Sequence, residues 1–302
     1  MLSKQTDADL RYFLADARAE AEDARDFGNW AREKRRRRDA AAYSAELLRR
    51  KHPAAFTARK NPGSGDDQKS TEEMYRRGSG WQLARKRLHD QIIRSFLKEG
   101  RTTDTPHAVL MMGGPASGKS SVLKKMNIPA GYVHIDADAV KDMLPEYRKW
   151  TSPKGCRQDA AALVHEESSL IAKEIRNRAV KMRTNFLFDG TGKNADAYID
   201  MVRTLQQLGY AVLVIMADLD VETAVKRAKL RATQTCRYVP ESFLREAYKV
   251  IPKNFHRIAA EADEARLYSN RTDTPTLVWQ QTGGTARVID AAMWRRFSRG
   301  RV

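Results

Sequence analysis

Cysteine is nearly absent from this 302-residue chain, which has only Cys156 and Cys236. The two make no metal-ligand pattern and no redox motif, and nothing in their use suggests an oxidising compartment. Long apolar runs are missing too. None approaches the roughly 18 residues needed to span a bilayer, so no membrane association is expected. The opening residues, Met1-Leu2-Ser3-Lys4-Gln5-Thr6-Asp7-Ala8-Asp9, lack a signal-peptide core, and a cytoplasmic location is expected by default. Acidic residues are in deficit: 38 Asp and Glu face 55 Lys and Arg, a net charge of +17. So basic a chain attracts polyanions, whether nucleotides, nucleic acid or an acidic protein, and charge alone does not choose among them.

What is present is a complete phosphate-binding loop. Gly113-Gly114-Pro115-Ala116-Ser117-Gly118-Lys119-Ser120 fits G-x-x-x-x-G-K-[ST] with nothing missing. Glycines let the backbone curl so that successive N–H groups point at phosphate oxygens. Lys119 reaches the outer phosphates, and the Ser120 hydroxyl suits Mg²⁺. The apolar run His107 to Met112 reads as a buried strand before the loop, and Ser121-Val122-Leu123-Lys124-Lys125-Met126 continues without a breaker as a helix. Strand, glycine loop and helix start together aim a helix dipole at an anion.

The fold class expected is α/β: a P-loop NTPase-like parallel sheet with helices on both faces, preceded by a helical N-terminal region. Leu10, Phe13, Leu14, Ala17 and Ala21 recur at helical spacing, with a break at Gly28-Asn29 and a second helix over Ala40 to Leu48 ended by Pro53. Residues 58–67 are turn formers and read as a linker, which divides the chain into a basic helical region, 1–68, and a domain, 69–302. A third helix is predicted over Gly80 to Lys98, with Trp81, Ala84, Leu88, Ile92 and Phe96 as its stripe and Leu83 near its edge. Strands are predicted at Tyr132 to Asp136, Asn185 to Asp189, Ala211 to Met216 and Ala265 to Tyr268. Helices over Asp159 to Met182 and Asn194 to Leu208 lie between them, and a terminal hairpin turns at Gly283-Gly284. The run Arg32-Glu33-Lys34-Arg35-Arg36-Arg37-Arg38 reads first as a solvated helix face and second as a nucleic-acid contact.

In open α/β sheets ligands sit beyond the carboxyl ends of the strands. Asp136 and Asp138 follow the second strand; one is expected to cap the next helix, and Asp138 to serve as a phosphotransferase base. Asp189, Thr191 and Lys193 follow the third strand and suit substrate hydroxyls or water-bridged Mg²⁺, against a purely structural turn. The basic segment Lys226 to Pro240 reads as a lid whose arginines neutralise a moving phosphoryl group. Cys236 beside it has no assigned role. Glu166 opens a long helix, where acidic residues usually serve the dipole; a substrate role is the second reading.

In this order the motifs resemble the zeta-toxin family of P-loop kinases. The resemblance rests on Gly113 to Ser121, Val133-His134-Ile135-Asp136-Ala137-Asp138, Val164-His165-Glu166-Glu167-Ser168, Phe188-Asp189-Gly190-Thr191-Gly192 and the lid around Arg227 and Arg237-Tyr238-Val239-Pro240. It spans roughly Glu73 to Tyr268. It implies transfer of phosphate from ATP, with Mg²⁺, to a hydroxyl of a nucleotide sugar, chiefly UDP-N-acetylglucosamine. Asp138 then matches the base, Lys119 the phosphate lysine, Arg227 and Arg237 the lid arginines, and Asp189 an acidic sugar-binding position often Glu in the family. A further acidic position of some members falls near Lys173, which bears on the sugar more than on the chemistry. Such toxins are held by a helical antitoxin over the nucleotide site, in trans or as a fused segment, and residues 1–68 are the candidate in cis. The rivals are a polynucleotide or RNA kinase, which the charge suits, and a nucleic-acid-binding module that keeps the loop as a nucleotide sensor. A sensor has no need of the base.

Overall fold

Turn formers cut the chain into short elements that alternate between strand and helix from His107 onward. The computed structural model describes residues 2–26, 30–51, 69–78, 80–152 and 156–299. The expected break at Gly28-Asn29, Pro53 and the linker at 58–67 lie outside the described residues. In chain order the elements are α1 (Asp7–Asp26), α2 (Trp30–Lys51), α3 (Thr71–Tyr75), β1 (Arg76–Arg77), β2 (Gly80–Trp81), α4 (Leu83–Leu97), β3 (His107–Met112), α5 (Lys119–Met126), β4 (Val133–Asp136), α6 (Ala137–Met143) and α7 (Pro145–Trp150). They continue as α8 (Ala160–Leu163), α9 (His165–Lys181), β5 (Phe186–Asp189), α10 (Ala195–Gln207), β6 (Ala211–Asp218), α11 (Val221–Thr235), α12 (Glu241–Ala259), β7 (Glu264–Ser269), β8 (Thr276–Thr282), β9 (Thr285–Val288) and α13 (Ala291–Arg299). Two compact units result. A helical unit comprises Met1–Ile92, Ala137–Ala172 and Arg231–Pro240, and a sheet unit comprises Ile93–Asp136, Lys173–Leu230 and Glu241–Val302.

The sheet unit carries seven strands in the order β4-β5-β3-β6-β7-β8-β9. The first five are parallel, β8 pairs antiparallel with β7, and β9 pairs antiparallel with β8. The result is the α/β sheet with flanking helices that the alternation implied. β3 lies between β5 and β6 and is buried from Ala108 to Met112, which is why it reads as a continuous apolar run and not as an alternating one. Val109, Met111, Leu187, Ile215, Ala217 and Tyr268 form a core with Val122 of α5 and so seat the helix that follows the glycine loop. The β8–β9 turn puts Gly283 and Gly284 both at positive φ, as a two-residue hairpin turn requires. α13 has no counterpart in the sequence reading; Trp294 stacks on Trp279 of β8 at 5.6 Å, and Phe297 is buried.

The helical unit is held by compensated charge as much as by apolar packing. Leu10, Ala17, Ala21 and Ala24 bury one face of α1, and Phe13 stacks on Tyr43 of α2. Glu20 of α1 takes Arg36 at 2.6 Å and Arg32 at 3.6 Å, and Arg37 pairs with Glu33. Half of the basic run is therefore spent inside the helix pair, while Lys34, Arg35 and Arg38 are exposed. Ser70 and Glu73 form a reciprocal capping box on α3. Arg85 of α4 is buried; it meets Glu167 of α9 at 2.5 Å and Glu146 of α7 at 2.9 Å, and His89 shares Glu167 at 2.6 Å.

Three local expectations need correction. Trp81 belongs to β2, not to the following helix; its ring packs edge-on against His89, and Leu83 starts α4 with 66% of its surface exposed. The helix expected over Asp159 to Met182 is broken at Val164 into α8 and α9. The first-turn acids of α9 are not dipole residues in water: Glu166 and Glu167 are both buried against arginines. Periodicity sees apolar stripes, and it misses a helix face whose burial is ionic. The cysteines, given no role from spacing, are joined as a Cys156–Cys236 disulfide across a sequence separation of 80. Pairing at that range depends on the fold and leaves no local pattern.

Burial pushes the Glu167 carboxyl up, but the bonds from Arg85 and His89 outweigh it and hold the group below its ordinary range. Glu167→Ala would leave the buried Arg85 guanidinium with Glu146 but without its buried partner, and a loss of about 3 kcal/mol in urea unfolding free energy is expected. Glu174→Ala removes the exposed Arg178 pair and should change it by under about 0.5 kcal/mol. Equal effects from the two would show that the buried cluster is not what holds this unit.

Candidate active site

A loop that approaches an anion with its backbone has little room for side chains, and the turn after β3 meets that condition. Gly113 sits at φ 145°, Ala116 at 61° and Gly118 at 87°. A Cβ on Gly113 would lie 2.6 Å from Ser117 Oγ and 2.9 Å from the Ala217 carbonyl oxygen. Gly118 is the N-cap of α5, so the loop opens directly onto a helix N-terminus. Lys119 folds back to donate to the Gly113 carbonyl at 3.1 Å and lies 3.5 Å from Asp189 Oδ1 at the end of β5. Ser120 and Ser121 follow it in the first turn and are exposed.

The β5 loop is tied to the same place. Gly113 N–H donates to the Thr191 carbonyl at 3.0 Å, and Gly192 turns at φ 71° against Met112. Thr191 Oγ1 accepts from Lys193 N–H, and the Lys193 ammonium lies 4.3 Å from the Phe243 ring centroid. Of the β5-loop residues, the structure thus brings Asp189 and the Thr191 backbone to the glycine loop and turns Lys193 to an aromatic face. Arg227 on α11 is exposed, and its charge bears on Tyr248.

In the helical unit, Asp138 lies on α6 two residues beyond the end of β4. Its carboxylate is half-exposed, with Lys141 Nζ 3.1 Å from Oδ1 and Arg237 Nη2 3.6 Å from Oδ2. Lys141 first, then Arg237 and Arg231, hold it well below the usual carboxylate range against the effect of burial. Arg237 also reaches Asp142 at 3.7 Å. Glu166 is paired with Arg18 of α1 at 3.2 Å; burial and a bond to Glu72 push its carboxyl up.

A model of the zeta toxin family matches residues 94–282, more than half of the chain. The chain belongs to the zeta toxin family. Similar solved structures agree on the fold. The AvrRxo1-ORF1:-ORF2 complex in its native form has a TM-score of 0.62 at 17% identity, covering 76% of this chain and 82% of that one. The AvrRxo1-ORF1:-ORF2 structure with ATP has a TM-score of 0.58 at 17% identity, covering 78% and 83%. A structure from the PezAT chromosomal toxin-antitoxin system of Streptococcus pneumoniae has a TM-score of 0.54 at 15% identity, covering 74% and 97%. No curated protein sequence matches the chain.

For a zeta toxin the motif reading misses the groups that brace the loop. Asn270, just past β7, donates to the Ser117 carbonyl at 2.6 Å and to Gly118 at 3.1 Å. Tyr248 of α12 donates to the Pro115 carbonyl at 3.1 Å and lies flat against Gly114. Asn254 donates to the Gly192 and Lys193 carbonyls. The strand-end rule points to Asn270; nothing local points to Tyr248 or Asn254. The loop fits a nucleotide's phosphates, since side chains are excluded where the backbone must approach. Ser120 fits Mg²⁺ as a hard oxygen donor beside them. A P-loop cation takes most of its ligands from phosphate and water, so it needs no cluster of three protein ligands, and none occurs among the described residues.

Lys119→Ala should lower ATP turnover by about 10²–10³, the usual effect of removing one donor to developing charge, with the apo melting curve little changed. A nucleotide-release assay beside a thermal melt reads both. Retained turnover would remove the loop from the mechanism.

Proposed function

We propose that this chain is an ATP-dependent kinase that phosphorylates a hydroxyl of a UDP-activated amino sugar, UDP-N-acetylglucosamine, with Asp138 as the base. The observation that carries it is the Asp138 carboxylate, ionised beside a lid arginine in a chain with a complete P-loop. The transfer balances simply. The acceptor oxygen bonds to the γ-phosphorus, the bond from phosphorus to the ADP oxygen breaks, and the hydroxyl proton passes to Asp138. The loop amides and Lys119 hold the phosphates. Arg227 and Arg237 offset charge on the moving group. Mg²⁺, when bound at Ser120, supplies further neutralisation of the phosphate oxygens. Asp189, Thr191, Lys193 and Glu166 are the proposed acceptor contacts, and cytoplasmic action is part of the same reading.

A second reading, an oligonucleotide acceptor, is favoured by the exposed Lys34, Arg35 and Arg38 on α2. A radiolabel transfer assay against UDP-sugars, nucleosides and 5′-hydroxyl oligonucleotides separates the two. Transfer to UDP-N-acetylglucosamine is expected, and Asp138→Asn should abolish it while sparing ATP binding. Label on the oligonucleotide alone would overturn the sugar acceptor.

Residues 1–68 are proposed to act as a restraint in cis, in the manner of an antitoxin, with a separate antitoxin as the alternative. The support lies within the helical unit. Tyr12 of α1 is half-buried and feels the charges of Asp16 and Asp138, Asp9 accepts from Tyr238 at 2.8 Å, and Arg18 and Arg11 pair with Glu166 and Asp159. Among these, Asp138 is the proposed base, Glu166 a proposed acceptor contact and Tyr238 the neighbour of Arg237. The restraint is therefore assigned to the acceptor and not, as the family resemblance implied, to the nucleotide. Arg11→Ala with Arg18→Ala should lower the acceptor KM by roughly threefold to tenfold, two modest contacts' worth, and leave the ATP KM unchanged. A fall in the ATP KM alone would return the restraint to the nucleotide side.

A further inference from the structure

Lys141 was singled out by no motif, yet it is among the few buried cations of the helical unit, with 5% of its surface exposed. An ammonium is costly to desolvate and is kept where an anion compensates it. Its anion is Asp138, three residues earlier on α6 and 3.1 Å away, whose own carboxylate stays half-exposed. The geometry is asymmetric: the cation lies in the interior and the carboxylate above it opens to solvent. An ordinary exposed i,i+3 pair on a helix buries neither partner.

We propose that Lys141 is a positioning residue for Asp138, fixing the carboxylate by a buried ion pair so that it meets the acceptor hydroxyl as an anion in one orientation. The inference rests on the reading of Asp138 as the base. Other groups facing Asp138 include Arg231 near the end of α11, Arg237 just beyond it, Tyr147 of α7 and Tyr12 of α1, while Asp142 competes for Arg237. Lys141 is the cation of α6 itself, so it holds the carboxylate however the 231–240 segment moves. Its charge is also the largest influence on the group. A carboxylate held this way is a weak base. That suits phosphoryl transfer, where a loose transition state asks for the proton late and for accurate placement of the nucleophile throughout.

The test uses the full chain with aspartate carboxyl carbons labelled, the Asp138 resonance being assigned by its loss in Asp138→Asn. In the parent its titration midpoint should lie below the ordinary value of about 3.9. In Lys141→Met the midpoint should rise by about one unit or more, and the acid limb of kcat/KM for phosphoryl transfer should rise with it. Lys141→Arg should restore both, since a cation is kept. Lys141→Gln serves if the Met variant does not fold. A Lys141 variant that loses rate equally at every pH, with an unmoved Asp138 resonance, would overturn the inference whatever the acceptor. If instead the resonance moves as expected and the parent phosphorylates no acceptor, the pair stands and the kinase reading fails.

Discussion

The constraint on which the sheet unit depends is the close approach of bare backbone to an anion. Between β3 and α5 the chain must reverse without side chains in the way, and it does so with glycines at positive φ whose missing Cβ atoms would strike Ser117, Ala217 and Asn270. That requirement fixes its surroundings. β3 must be central and fully buried, so that the loop emerges from a rigid edge. α5 must begin directly after Gly118, so that the N–H groups of its first turn open toward the loop. The loop's own carbonyls must be taken up by groups that do not intrude, here the Asn270 amide and the Tyr248 hydroxyl.

The helical unit answers to a different constraint, the cost of burying charge. Arg85, Glu167 and His89 form one compensated cluster, and Lys141 with Asp138 and Arg237 forms another. In both, a buried cation is compensated by a carboxylate beside it. The first fastens α4 to α9. The second presents a carboxylate to solvent as a fixed anion. The family's chemistry has little covalent work for the protein to do, so placement of charge is the main means it has.

The legibility of these parts in the sequence follows from how local their causes are. The P-loop, its strand and its helix were legible because every requirement falls on consecutive residues. The placement of Asp138 just past β4 and of Asp189 at the end of β5 was legible because the strands themselves were. Trp81 was misread because a two-residue strand carries no period. α13 went unread because its burial depends on Trp294 meeting Trp279 of β8. The burial of Glu166 and Glu167 against arginines was not legible because acidic residues in a first helical turn look alike in sequence, whether they face water or an arginine from elsewhere in the chain.

The sequence by itself determined the α/β alternation, the anion-binding loop and the residue types able to carry phosphoryl transfer, since each is a matter of neighbours along the chain. Tertiary structure alone decided which charges meet. It paired Arg18 with Glu166, Arg11 with Asp159 and Cys156 with Cys236, and set Asn270 beneath the loop. These pairs are separated by 80 to 153 residues. Electrostatic and hydrogen-bond energies depend on distance in space and burial, neither of which a linear order encodes.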